Sequence, residues 1–349
     1  MSGNGYSKSG VDTNAADAWV AEIARITQGG RPLEGGAQPE KVVSGVGDYA
    51  SIYALSAEQW IAASCDGIGT KLLWALEGLG SPEAIAQDLV AMNVNDLICV
   101  GARPLLFLDY LAVGSKDLFK GDDALLRRFL KGIHAACLES GCLLVGGETA
   151  QMPELYEPQH FDVAGFAIGT MTPADRLGVH RVRPGAELWG WTSSGPHSNG
   201  YTWLRQVFKA PADAAYIRET LMQPTRLYVR PLSELRASLK AAGRSDSLQA
   251  AYHITGSGLL NLLRAQPEGR SVGFELDAWP QQDPAWLAEL GRRTKATPEE
   301  LWSTFNGGFG MVLVLEAGVP AAELEKAGLK RLGRCIEEPV VRLRGVALE

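Results

Sequence analysis

The stretch QWIAASCDGIGTKLLWALEG, residues 59–78, decides the fold class. Its first half, Gln59 to Ser64, has the short apolar character of a buried strand. Its second half, Lys71 to Gly78, has helical spacing and ends on a glycine. Between them lies Asp66-Gly67-Ile68-Gly69-Thr70-Lys71, a glycine turn linking a strand to a helix. Glycines there let backbone amides approach an anion, and the helix N-terminus adds partial positive charge. In this reading Gly67, Gly69 and Thr70 line a polyphosphate, Lys71 neutralises it, and Asp66 is placed for Mg²⁺. The spacing is not that of a Walker A loop. Read alone, a tight turn with surface charges is the simpler alternative.

Outward from this unit, strand-like and helix-like segments alternate without a strict βαβ rhythm, which predicts a mixed α/β (α+β) protein. Strands are expected at Tyr49 to Leu55, Leu105 to Val113, Leu143 to Val145, Phe161 to Thr170, Glu187 to Ser193 and Met311 to Glu316. Helices are expected at Asp17 to Ile26, Pro82 to Asn95 behind a Ser81 cap, Asp122 to Ser140, Tyr201 to Phe208, Arg230 to Ala242, Gly256 to Arg264 and Thr297 to Thr304. The polar, proline-bearing segment from Thr172 to Arg176 marks a domain boundary, giving domains at 1–171 and 172–349.

Glycine is abundant, 40 of 349 residues against an average near 7%, and clusters at the ends of these segments. Asn95 and Asp96 close a mainly apolar helix, where an acidic group is unfavourable unless a cation offsets it. An ordinary Asn/Asp turn explains them equally well. Gly147, Glu148 and Thr149 follow the strand at 143–145, so Asp66, Asp96 and Glu148 make three separated carboxylates suited to a hard cation, with Asp109 in reserve. The loop Ser193-Ser194-Gly195-Pro196-His197-Ser198-Asn199 holds small, hydroxylated and glycine residues fit to hold an anion. His197 is its single titratable group. His253-Ile254-Thr255-Gly256-Ser257-Gly258 and the segment Phe305 to Met311 suit either phosphate turns or plain helix starts. Gly45 to Ala50 matches a dinucleotide fingerprint, but strand-like residues follow it where a helix is required.

The whole-chain figures narrow the class. Apolar residues make up 46% and charged residues 21%, with a net charge of -7, the opposite of a duplex nucleic-acid binder. The five cysteines, Cys65, Cys99, Cys137, Cys142 and Cys335, form no CxxC pair and read as reduced thiols. No run of about 18 apolar residues points to a membrane span. Met1 to Gly10 reads as a flexible polar arm without a signal-peptide core, which predicts a cytoplasmic protein.

Together the strings DGIGTKL (66–72), DLVAMNVND (88–96), FLDY (107–110), GGETAQMPELY (146–156), SSGPHSNGY (193–201) and HITGSG (253–258) closely resemble phosphoribosylformylglycinamidine cyclo-ligase, the aminoimidazole ribonucleotide synthetase family. The resemblance runs from about Tyr6 to Val312. It implies two α/β domains, with an N-terminal sheet that joins a second copy in a barrel-like homodimer core and a C-terminal α/β sandwich. It implies ATP and Mg²⁺, and formylglycinamidine ribonucleotide as substrate. It assigns Asp66, Asp96 and Glu148 to the metal. Nucleotide or substrate contacts fall to Gly67, Gly69, Thr70, Lys71, Asn95, Gly147, Thr149, Ser193, Ser194, Gly195, Asn199, Gly256 and Gly258. His197, His253 and Lys71 are the catalytic candidates, His197 slightly preferred as acid/base. Two alternatives remain: a sister synthetase acting on formylglycinamide ribonucleotide with glutamine or ammonia, and a non-catalytic paralogue. The chain departs from the family at Ser257, where a glycine is typical, and in the 45–50 loop.

Overall fold

The computed structural model describes residues 13–27, 36–121, 124–264 and 272–348. The expected N-terminal arm, Met1 to Gly10, and the first two residues of the expected Asp122 helix lie outside them.

The first sheet contains β1 (Val42–Ser44), β2 (Ser51–Ala54), β3 (Trp60–Gly67), β4 (Arg103–Val113), β5 (Leu143–Gln151) and β6 (Phe161–Met171), in the order β1-β2-β3-β6-β4-β5. All pairings are antiparallel except β4 with β5. Within one chain the sheet is open, with β1 and β5 at its edges, and it is not a closed barrel. α1 (Thr13–Thr27) precedes it, and α2 (Lys71–Leu76), α3 (Pro82–Cys99) and α4 (Leu125–Glu139) complete this half.

The second sheet contains β7 (Glu187–Thr192), β8 (Leu248–His253), β9 (Gly273–Glu275), β10 (Phe309–Leu315), β11 (Lys330–Ile336), β12 (Val341–Leu343) and β13 (Val346–Leu348), in the order β13-β12-β9-β11-β7-β10-β8. It is accompanied by α5 (Tyr201–Val207), α6 (Val229–Ala241), α7 (Ala285–Thr294), α8 (Pro298–Trp302) and α9 (Ala321–Lys326). No helix among the described residues is long and apolar enough to cross a membrane.

α3 ties the halves together. Ser81 caps it, its side chain accepting from the Ala84 amide at 3.0 Å, and Pro82 occupies the first turn. It packs on β3, β6 and α4 on one side and on β8 and α6 on the other. That explains why residues all round it are apolar or fully buried, from Ile85 to Cys99 with the sole exception of Gln87. A helix apolar on every face is one enclosed by protein. It also runs past Asn95 to Cys99, so Asn95 and Asp96 lie within its last turns and do not end it.

Two further differences bear on function. β5 continues to Gln151, so the Gly-Gly-Glu-Thr motif lies inside a strand and not after it. The segment ending in His253 is a strand, β8, buried throughout. The turn after it enters a 3₁₀ helix at Gly258–Leu263.

Candidate active site at the seam of the two halves

Strand register places the acidic residues. Asp66 on β3 pairs with Gly165 on β6, Gly165 with Asp109 on β4, and Asp109 with Gly147 on β5. These four form one row on one face of the sheet, with Gly165 beneath α3. The two glycines are required by close approach: a Cβ on Gly165 would stand 2.5 Å from Phe107 Cζ and 2.7 Å from Asn93 Nδ2, and one on Gly147 would stand 2.7 Å from Asp109 Oδ1. Burial holds the Asp109 carboxyl above its usual range.

Glu148 belongs to the adjacent row, paired with Tyr110, which pairs with Ala164 and then Gly67. Alternation turns it to the opposite face, three strand spacings, roughly 14 Å, from Gly67. It is exposed, and Oε1 accepts from the Thr149 amide at 2.9 Å. The expected convergence of Asp66, Asp96 and Glu148 is therefore corrected for the single chain. Among the described residues no group of three or more His, Cys, Asp or Glu side chains is close enough to hold a metal.

Asp66 and Asp96 lie close enough for their charges to interact. Asp66 is half-buried, and its carboxyl is raised to about 6 by desolvation first and then by the negative charge of Asp96. The Gly67 amide, donating to Oδ1 at 2.7 Å, opposes the shift, as do His253 and Arg264. Two carboxylates whose charges act on one another at the seam form a donor set that suits a cation. Mg²⁺ is commonly held by one or two carboxylates together with water and phosphate oxygens, so this pair fits Mg²⁺ without Glu148.

Asp96 Oδ1 lies 2.9 Å from His253 Nδ1, and the His253 ring is fully buried at the end of β8. Asn95 sets the tautomer. Its Oδ1 accepts from the Tyr228 amide at 3.0 Å, so its Nδ2 is the donor toward the Arg226 carbonyl at 3.0 Å and His253 Nε2 at 3.4 Å. Nε2 is then the acceptor and Nδ1–H donates to Asp96. His253 is thus the orienter of Asp96, and Tyr49 Oη fixes its backbone by donating to His253 O at 3.2 Å.

His197 occupies a left-handed backbone conformation, φ 63°, in the β7–α5 loop. It is fully buried. Burial, followed by the neighbouring His253, Lys71 and Arg226, holds its imidazole well below the usual range, so it is neutral. Nε2 accepts from the Ser194 amide at 3.3 Å, and the two histidine rings are 6.5 Å apart. Asn306, also buried, pins the same loop: Nδ2 donates to Gly195 O at 2.9 Å, and Oδ1 accepts from Ser193 Oγ at 3.2 Å and the Gly308 amide at 2.9 Å. The amide of Asn199 is buried nearby. Asn261 Nδ2 closes the last turn by donating to Gly256 O at 2.6 Å and Gly258 O at 2.9 Å. Thr70 Oγ1 meets Thr202 Oγ1 at 3.1 Å across the seam.

Lys71 corrects the sequence reading. It does not face outward from the glycine turn but is fully buried, with Nζ 2.8 Å from Asp88 Oδ2 and donating to His197 O at 2.8 Å and Gln223 O at 2.7 Å. Every ammonium proton is engaged within the protein. Sequence reasoning also missed Asp88, Arg226 and Arg264. Arg264 donates to Gly47 O at 3.3 Å and Asp48 O at 3.2 Å, and its guanidinium lies 4.6 Å from the centre of the Tyr49 ring, close enough to Asp66 to act on its charge. A separate cleft of about 700 Å³ lies at the start of α3, lined in part by Gly80, Ser81, Arg128, Arg218 and Gln223, and contains none of the Asp66, Asp96 or His253 side chains.

The profile of AIR synthase related protein, N-terminal domain, matches residues 47–171, and that of the C-terminal domain matches 183–345. A phosphoribosylformylglycinamidine cyclo-ligase from Xanthomonas campestris pv. campestris (strain B100) is 40% identical over 334 residues, covering 92% of each chain. One from Xylella fastidiosa (strain Temecula1 / ATCC 700964) is 38% identical over 320 residues, covering 88% of this chain and 86% of the relative. Among solved structures, thiamine monophosphate kinase from Aquifex aeolicus superposes with a TM-score of 0.58 at 19% identity, covering 86% of this chain and 92% of its own. The T. maritima PurL complexed with ATP gives 0.55 at 19%, covering 86% of this chain and 44% of its own. The structural likenesses concern the fold alone. The sequence relatives and both domain profiles settle the family: the chain belongs to the AIR synthase related proteins and, among them, to the phosphoribosylformylglycinamidine cyclo-ligases.

Proposed function

We propose that this chain closes the imidazole ring of aminoimidazole ribonucleotide from formylglycinamidine ribonucleotide, converting ATP to ADP and phosphate in de novo purine biosynthesis. The observation that carries the reading is 40% identity across 92% of the chain to a named cyclo-ligase, joined to a carboxylate pair at the domain seam. An amide oxygen is a poor leaving group. Transfer of the γ-phosphoryl group to the formyl oxygen gives an imidate phosphate. The amidine-side nitrogen then attacks that carbon, and the oxygen departs with the phosphate. In such transfers the protein acts chiefly by positioning and charge stabilisation.

Asp66 and Asp96 would hold Mg²⁺, which when bound offsets charge on the phosphates. His253 orients Asp96, and the loops at 193–201 and 253–258 present amides and hydroxyls to phosphate or substrate. The boundary between the two functional halves falls after Met171. With purified protein, ADP release is expected to require formylglycinamidine ribonucleotide, to match ring closure one to one, and to be indifferent to glutamine and ammonia. A requirement for either nitrogen donor would identify the sister synthetase, and no turnover would identify a non-catalytic paralogue.

The uncovered sheet face supports a homodimer. Phe166, Leu143, Val145 and Leu105 are 40%, 57%, 52% and 45% exposed, on or beside the face opposite α3. Contiguous exposed apolar surface of this kind marks an interface, and a second copy of the same sheet would complete a barrel-like core. Sedimentation of the wild type at micromolar concentration should give twice the chain mass, and Phe166→Asp should shift the equilibrium to monomer. A wild-type monomer would remove the dimer from the proposal.

A further inference from the structure

We propose that the buried Lys71–Asp88 pair is a positioning device that holds the 193–201 loop of the second half in register with the glycine turn of the first, and that Lys71 is not a phosphate ligand. The inference rests on the functional reading above for its activity readout. Lys71 and Asp88, both on the first half, are completely buried. From the second half, three backbone groups converge on them. Lys71 Nζ takes the carbonyls of His197 and Gln223 at 2.8 and 2.7 Å, and Asp88 Oδ1 takes the Thr225 amide at 2.6 Å. Thr225 Oγ1 also donates to Asp88 at 2.6 Å and meets Ser198 Oγ at 3.1 Å. One ion pair therefore gathers two separate segments, around 197 and around 223–225.

The geometry leaves Lys71 no role at a phosphate. An ammonium has three donors, and here Asp88 and the two carbonyls account for all of them. Moving Nζ to a ligand would strand Asp88 and both carbonyls in a dry interior, where unmatched polar groups are strongly unfavourable. The pair is instead placed where it matters for alignment. Lys71 follows directly on Gly69 and Thr70, and His197 sits in the middle of the loop whose amides and hydroxyls are offered to phosphate. Displacement of such a loop by about 1 Å is enough to lower a rate roughly 10²-fold.

The test replaces the pair by apolar residues of similar size, Lys71→Met with Asp88→Leu, which leaves no lone buried charge. A second variant, Thr225→Val, removes the hydroxyl bonds to Asp88 and Ser198 and keeps the ion pair. Two readouts are taken: amide hydrogen exchange over 193–201, and kcat and KM for ATP. In the double variant, exchange is expected to rise at least about tenfold in that segment, and kcat to fall roughly 10²-fold with KM for ATP little changed. Thr225→Val should shift both readouts in the same direction by less, and it decides the matter alone if the double variant does not fold. Unchanged exchange at 193–201 would overturn the proposal, as would retained kcat or a loss confined to KM for ATP, the mark of a phosphate ligand. Exchange needs no substrate, so a wild type without ring-closing activity would sink the functional reading and leave this arm intact.

Discussion

Replacing Asp66 by Asn is expected to make the metal-free protein more stable at pH 8 while removing most of its Mg²⁺-dependent turnover. The stability half follows from linkage. The folded-state carboxyl is raised to about 6 from 3.8, so the folded protein binds the proton more tightly than the unfolded chain. Below about pH 4 both states are protonated and the site carries no penalty. The penalty grows as pH rises from about 4 to 6 and is complete above that. A shift of two units corresponds to about 3 kcal/mol. Asn keeps an oxygen for the Gly67 amide but carries no charge, so its thermal midpoint should exceed that of the wild type by several degrees at pH 8. The advantage should vanish near pH 4. Added Mg²⁺ should stabilise the wild type more than the variant at pH 8, since a ligand stabilises only the state that binds it. Turnover should fall at least about 10²-fold, the usual scale for losing one preorganised electrostatic partner. Calorimetry across pH, with and without Mg²⁺, and an ADP-release assay check both halves. An unchanged Mg²⁺ requirement in the variant would take Asp66 out of the metal site.

That pairing of instability with function also marks where sequence reading succeeds and fails. The strand–turn–helix around Asp66 was legible because apolar run, glycines and helical spacing agree with one another. The length of β5 was not, because Gly146 and Gly147 remove the side chains by which a strand is recognised, while the pairing with β4 carries it on to Gln151. β8 was hidden for a related reason. Leu-Gln-Ala-Ala-Tyr-His has no β-branched residue, and it is a strand because β10 and α3 enclose it. Asp66, Asp96 and Glu148 were expected at strand or helix ends, yet Asp96 lies inside its helix and Glu148 inside β5, and a one-residue change of row reverses the face of a strand. It is register, not composition, that separates Glu148 from the other two. Lys71 shows the limit most plainly. Its position after a glycine turn suggests a phosphate, and what settles its environment is Asp88 one helix away and carbonyls 126 and 152 positions along the chain.

The two histidines are expected to separate under mutation, with the larger loss at His253. Sequence alone slightly prefers His197, the one titratable group in a glycine- and serine-rich loop. The hydrogen bonds favour the other. His253 donates to the carboxylate that faces Asp66, and removal of a group that orients a metal-holding carboxylate typically reduces affinity or activity 10- to 100-fold. His253→Ala should therefore raise the Mg²⁺ concentration for half-activation by about that factor and lower kcat with it. His197 is neutral and tied to the Ser194 amide within its own loop. Asn at that position tolerates the left-handed backbone and can accept the same amide, so His197→Asn should keep kcat within about tenfold and leave the Mg²⁺ response unaltered, with its main effect on thermal stability. Mg²⁺ titrations of turnover on both variants, normalised to folded protein, give the comparison. If His197→Asn abolished turnover and His253→Ala kept both kcat and Mg²⁺ response, the roles would be exchanged and Asp96 would need no orienting partner.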